Sequence, residues 1–176
     1  MIYQRKSWSE VCEMKNSLRR VYVDANVLIA YVADEANRSG VVQQVLHDAR
    51  ENRIELHTSV ISIAEVAYVT TGPANDDSVG GEDLIDQFWV PASPINLVDV
   101  SVRVARDARS IIRDAKRRGN RGVRSADAVH LASAGVRQCD LFLTYEKEST
   151  RENWDRLIQA QVVEPFTNTP QFDLRA

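Results

Sequence analysis

Short apolar runs that alternate with helical periodicity constrain this chain more than any other feature. Val21-Tyr22-Val23-Asp24, Ile54–Thr58, Pro94–Val98, Leu141–Thr144 and Val162-Val163 read as strands, being short and rich in β-branched, aromatic and other large apolar residues. Between them lie segments whose apolar residues recur at helical spacing, such as Val41, Val42, Val45, Leu46 and Ala49 within Ser39–Glu51. Strands in such an order need crossover helices, so the chain is an α/β protein with a mostly parallel sheet of four to five strands covered on both faces. The other helices are predicted over Asn26–Ala33, Ser59–Thr70, Glu82–Phe88, Ser101–Arg118, Ser125–Arg137 and Asn153–Gln159. Residues 1–19 read as a polar lead-in with a short helix from Ser7 to about Leu18, 20–165 as one domain and 166–176 as a tail. Gly72–Gly81 reads as a loop inside that domain, because too little chain remains on either side for two cores.

Within this frame four carboxylates stand at the edges of apolar elements. Asp24 is the only charge between Val21 and Val32. Burying it is costly unless it is paired, hydrogen-bonded or bound to a cation. Glu65 lies in Val60-Ile61-Ser62-Ile63-Ala64-Glu65-Val66-Ala67, Asp127 in Ser125-Ala126-Asp127-Ala128-Val129-His130-Leu131, and Glu146 just beyond Leu141-Phe142-Leu143-Thr144. Ligands of open parallel sheets bind beyond the carboxyl ends of the strands, where Asp24 and Glu146 would emerge together. Each acid also has an ordinary reading. Ser62 to Glu65 fits a capping box, Asp127 a helix-dipole acid, and Glu146 a solvated turn.

Gathered together, such carboxylates repel one another and invite a cation. Oxygen ligands without His or Cys nearby select Mg²⁺ or Mn²⁺, which serve phosphodiester hydrolysis by activated water. Asn26 and Thr144 are placed to hydrogen-bond the carboxylates or waters of such a site. His130, in an apolar helix, reads as a packed core histidine rather than a base.

Charge distribution adds a partner. The formal net charge is −3, which argues against nonspecific coating of nucleic acid. Yet nine basic residues face only two acidic ones between Arg103 and Arg124, so an otherwise acidic chain carries a basic strip. Arg113, Lys116, Arg117, Arg118, Arg121 and Arg124 are its candidate contacts to an RNA backbone; the plain alternative is a solvated helix face. No apolar run reaches the roughly 20 residues that cross a bilayer. The N-terminus has no apolar signal core, and the two cysteines, Cys12 and Cys139, lack metal-like spacing; both features suit the cytoplasm.

At Val23-Asp24-Ala25-Asn26-Val27, Ser59–Val66, Ala126–Ala134 and Leu143-Thr144-Tyr145-Glu146-Lys147 the chain resembles the PIN-domain ribonucleases, and more narrowly the VapC-type toxins of toxin–antitoxin pairs. The resemblance implies a three-layer α/β/α PIN-like fold and Mg²⁺- or Mn²⁺-dependent cleavage of RNA. It also implies homodimerisation and a small antitoxin partner that inserts an arginine near the acidic pocket. The family's acidic quartet falls on Asp24, Glu65, Asp127 and Glu146, the last being Glu where Asp is commoner, with Asp140 as a rival. The alternatives are a PIN-like module that binds RNA or a partner without cutting it, and an RNA-processing nuclease that is not a toxin, which the Gly72–Gly81 loop and the N-terminal lead-in would suit. A phosphatase with Asp24 as nucleophile is set aside, because the second acid such enzymes carry two residues on is here Asn26.

Overall fold

A computed structural model describes residues 18–66, 80–120 and 122–167. The expected Ser7–Leu18 helix (but for Leu18 itself), most of the Gly72–Gly81 loop, Arg121 and residues 168–176 lie outside them. Five strands form one sheet: β1 Arg19–Val23, β2 Ile54–Ser59, β3 Ile95–Val98, β4 Leu141–Leu143 and β5 Gln161–Val163, in the order β3-β2-β1-β4-β5. Every neighbouring pair is parallel. The order reverses at β1, which pairs with β2 on one side and β4 on the other, in the register Val21 to Leu141 and Val23 to Leu143. A crevice therefore opens beyond the ends of β1 and β4, where the connections diverge.

The helices are α1 Ala25–Val32, α2 Ser39–Arg50, α3 Ser62–Glu65, α4 Gly80–Asp86, α5 Val102–Arg117, α6 Ser125–Val136 and α7 Glu148–Asp155. Strand alternation sorts the core into two layers. Val21, Val23, Leu56, Leu141 and Leu143 face one way, against Val27, Leu28, Val42, Val45 and Leu46 of α1 and α2. Tyr22 and Phe142 face the other way, into Ala108, Ala115, Leu131, Ala134 and Trp154 of α5, α6 and α7. The Tyr22 and Phe142 rings stack with centroids 5.1 Å apart, and Trp154 meets Phe142 edge-on at 5.9 Å. The result is the three-layer α/β/α sandwich with a five-stranded parallel sheet.

Several boundaries differ from the sequence expectation. Gly80 and Gly81, read as loop, begin α4. The last helix runs over Glu148–Asp155 rather than Asn153–Gln159, because Trp154 is its buried anchor near the C-terminal end rather than near its start. After β2 the chain makes only the single turn of α3 at Ser62–Glu65 within the described residues. The Ser101 side chain accepts from the Val104 N–H to start α5. Gly119, with φ of 79°, takes the left-handed conformation just past the end of α5, where a side chain would be strained. α5 and α6 then pack against each other in the second core layer. In chain order the C-terminal half of the basic helix directly precedes the start of α6.

Candidate active site

Asp24 terminates β1 and caps α1. Its Oδ1 accepts the Val27 N–H at 3.2 Å, satisfying a helix-start donor, and its own N–H donates to the Leu143 carbonyl at 3.3 Å. The side chain is buried. Burial pushes its pKa from 3.8 up to about 6; Thr144, nearby His130 and the Val27 N–H act in the opposite direction, and the Glu146 charge adds to the rise. The carboxylate is thus held where its charge is poorly solvated.

Glu65 ends α3 on the neighbouring connection. The capping-box reading is overturned: Ile61 is the N-cap, and the buried Ser62 hydroxyl pairs at 2.8 Å with Thr58 Oγ1. Thr58 in turn donates to the Val23 carbonyl at 2.7 Å, tying α3 to the end of β1. Glu65 Oε2 instead meets His130 Nε2 at 2.7 Å. Asp127, at the third position of α6, accepts the Arg124 N–H at 2.8 Å. Its helix-start role is therefore real and does not remove it from the cleft. Glu146 Oε1 accepts from Asn26 Nδ2 at 3.3 Å, while the Glu146 N–H donates to the Thr144 hydroxyl at 3.1 Å. Arg151 donates to the Glu146 carbonyl and fixes the turn after β4.

These side chains converge on one open cleft of about 220 Å³, lined by Asp24, Asn26, Glu65, Arg124, Asp127, His130 and Glu146, with Phe142 and Trp154 as its apolar wall. All four predicted acids line it, with Asn26 and one residue of the basic strip. Thr144 sits behind, buried, with its N–H on the Val163 carbonyl at 3.0 Å. Asp140 is excluded: it precedes β4, accepts the Arg20 N–H at 2.9 Å, and lines a groove of about 720 Å³ around the opposite ends of the strands.

The donors in the cleft are carboxylate oxygens with one imidazole whose two nitrogens are both engaged, which is the chemistry of a hard divalent cation. Asp24, Glu65, Asp127 and Glu146 each hold a protein hydrogen-bond partner, and no three His, Cys, Asp or Glu side chains among the described residues form a metal-holding group. The cleft therefore offers the right ligand type, while a closed coordination cage would need the carboxylates to turn toward one another.

The apolar surroundings of His130 in the sequence predict a core residue. It is buried, but its edge forms part of the cleft wall. The signal lay in its spacing: three residues after Asp127, on the same face of α6. Of the proposed RNA contacts, Arg113, Lys116 and Arg117 are exposed on the C-terminal half of α5 and Arg118 just past its end, Arg117 paired with Asp114 at 2.7 Å, and Arg124 is in the cleft. Arg103, paired with Asp107 at 3.8 Å, borders the opposite groove.

The PIN domain family model matches residues 21–152, and the chain belongs to that family. Solved structures share the fold at low identity. VapBC2 from Rickettsia felis bound to a DNA fragment from their promoter matches with a TM-score of 0.62 at 12% identity, over 82% of this chain and 98% of that one. DNA-bound VapBC from Salmonella typhimurium gives 0.58 at 15%, over 85% and 100%. FitAcB from Neisseria gonorrhoeae gives 0.54 at 19%, over 82% and 97%. No curated protein matches the chain significantly. No helix among the described residues is long and apolar enough to cross a membrane.

Proposed function

We propose that this PIN-domain protein is a Mg²⁺- or Mn²⁺-dependent endoribonuclease, the toxin of a toxin–antitoxin pair. One observation carries the reading: four acids from four separate stretches of chain line one cleft at the switch point of the sheet, around a buried Asp24 that lacks a cationic partner strong enough to keep its pKa low. Asp24, Glu65, Asp127 and Glu146 would hold the cation. When bound, it supplies Lewis acidity toward a phosphodiester and an attacking water.

The chain's own residues prepare that chemistry. Asp24 is oriented by the Val27 N–H and the end of β1, Glu65 by His130, and Glu146 by Asn26. Phe142 and Trp154 limit water on one side of the cleft. Arg113, Lys116 and Arg117 on the C-terminal half of α5, with Arg118 just past it, precede Arg124 in the chain and would offer a basic path to the acids for a polyanionic backbone. The solved VapBC and FitAcB structures support a partner of the antitoxin kind, whose arginine would take the place of the cation's charge in the acidic cleft. We assign RNA as substrate, a homodimer as the working form and the cytoplasm as its compartment on the same reading.

The test is cleavage of RNA by purified protein with Mg²⁺ or Mn²⁺, with new 5′ ends mapped in cells after induction. Wild type should cut, and Asp24→Asn and Asp127→Asn should not. Equal cutting by wild type and Asp24→Asn, or cutting that survives chelator, would remove the catalytic assignment. The protein partners that already occupy each carboxylate favour one second reading, an RNA- or protein-binding module without cleavage. Tight RNA binding unaffected by chelator, with no products, would select it.

A further inference from the structure

A chain of three side chains runs from the buried central strand to the cleft. The Tyr22 hydroxyl on β1 lies 2.8 Å from His130 Nδ1 on α6, and His130 Nε2 lies 2.7 Å from Glu65 Oε2 on α3. Tyr22 is fully buried and His130 nearly so, whereas the Glu65 side chain is one-third exposed at the cleft. Hydrogen-bonding capacity orients the chain. An ionised carboxylate only accepts, so Nε2 must carry the hydrogen it shares with Glu65. In the neutral ring this leaves the Nδ1 lone pair facing Tyr22, whose hydroxyl then donates. The phenol is suited to donating, since burial raises its pKa well above 10.0 and keeps it protonated.

Glu65 needs such a brace. It ends a helix of one turn, and its side-chain hydrogen bond is to the imidazole. A glutamate with three rotatable bonds on a short helix does not hold a fixed position unaided. His130 is held on the opposite side by Tyr22, whose ring is clamped by the stacked Phe142.

We propose that His130 is a positioning residue: gripped by the Tyr22 hydroxyl, it donates Nε2–H to Glu65 Oε2 and anchors that carboxylate at the cleft wall, within reach of a divalent cation. The cation part rests on the nuclease reading, while the linkage itself does not. Partners of this kind typically change metal affinity by about 10–100-fold when removed.

Two measurements test it. In metal-free protein, long-range ¹⁵N NMR of labelled histidine should show His130 protonated at Nε2 and not at Nδ1, and Glu65→Gln should move the Nε2 resonance. An Nδ1–H tautomer, or an Nε2 resonance indifferent to Glu65→Gln, overturns the inference whether or not metal binds. Mn²⁺ titration by water-proton relaxation gives the second readout. His130→Phe, which keeps the volume, should weaken Mn²⁺ binding about 10–100-fold, His130→Gln should recover most of it through its amide donor, and Tyr22→Phe should fall between them. A folded His130→Phe that binds Mn²⁺ like wild type overturns the positioning role. Wild type that binds no Mn²⁺ overturns the nuclease reading instead, and the tautomer then decides the linkage alone.

Discussion

Replacing Asp24 by Asn should stabilise the metal-free protein, although it removes a proposed ligand. The carboxyl pKa stands at about 6 in the fold against an ordinary 3.8, so the folded protein binds that proton more tightly than the unfolded chain. Stability from this group is fully present below pH 3.8 and is lost as pH rises through 6. At pH 8 the loss is complete and amounts to about 3 kcal/mol. Asn has no charge to desolvate and keeps an oxygen for the Val27 N–H, so it escapes that loss. For a domain of this size the gain corresponds to roughly 6 to 12 °C in Tm. The assay is thermal unfolding by circular dichroism in chelator, for wild type and Asp24→Asn, at pH 4 and pH 8. Asp24→Asn should exceed wild type at pH 8, and the difference should shrink toward pH 4. Excess Mg²⁺ at pH 8 should raise the Tm of wild type and leave that of the variant nearly unchanged. An Asp24→Asn protein less stable than wild type at pH 8 in chelator would refute the reasoning, because the charged form would then be net stabilised inside the fold.

Other outcomes follow from the same contacts. Thr58→Val removes the donor to the Val23 carbonyl and the partner of the Ser62 hydroxyl, and should cost about 1–3 kcal/mol in urea unfolding. Phe142→Ala empties the space between Tyr22 and Trp154 and should cost about 3–5 kcal/mol by the same measurement. Neutralising Arg113, Lys116 and Arg118 together should weaken RNA binding and flatten its dependence on salt, read by fluorescence anisotropy across ionic strengths; an unchanged slope would return them to the solvated surface. The Cys139 thiol, its pKa raised by burial to about 12, should react with a thiol reagent at pH 8 only after unfolding.

The parallel sheet was legible because strand and helix periods differ and the crossovers leave no other arrangement. The four acids were legible for a related reason: a carboxylate at the end of an apolar run demands a partner that local sequence does not supply. Boundaries were less so. Gly80 and Gly81 look like loop, yet join α4, and only the place where Trp154 packs reveals that this residue lies near the end of α7 rather than near its start. Local patterning also misread Ser62 as a cap, when its hydroxyl turns to Thr58 instead.

By itself the chain determined an α/β sandwich, the carboxylates set in or just after its apolar runs and a basic helix, since each depends on residue type and near-neighbour spacing. Tertiary structure alone decided that Asp140 stands at the wrong edge and that Arg124 enters the cleft while Arg103 borders the opposite groove. It decided also that His130 joins Tyr22 to Glu65. Those contacts link residues 65 and 108 positions apart, and a contact at such separation follows from the order of strands in the sheet, which no local pattern encodes.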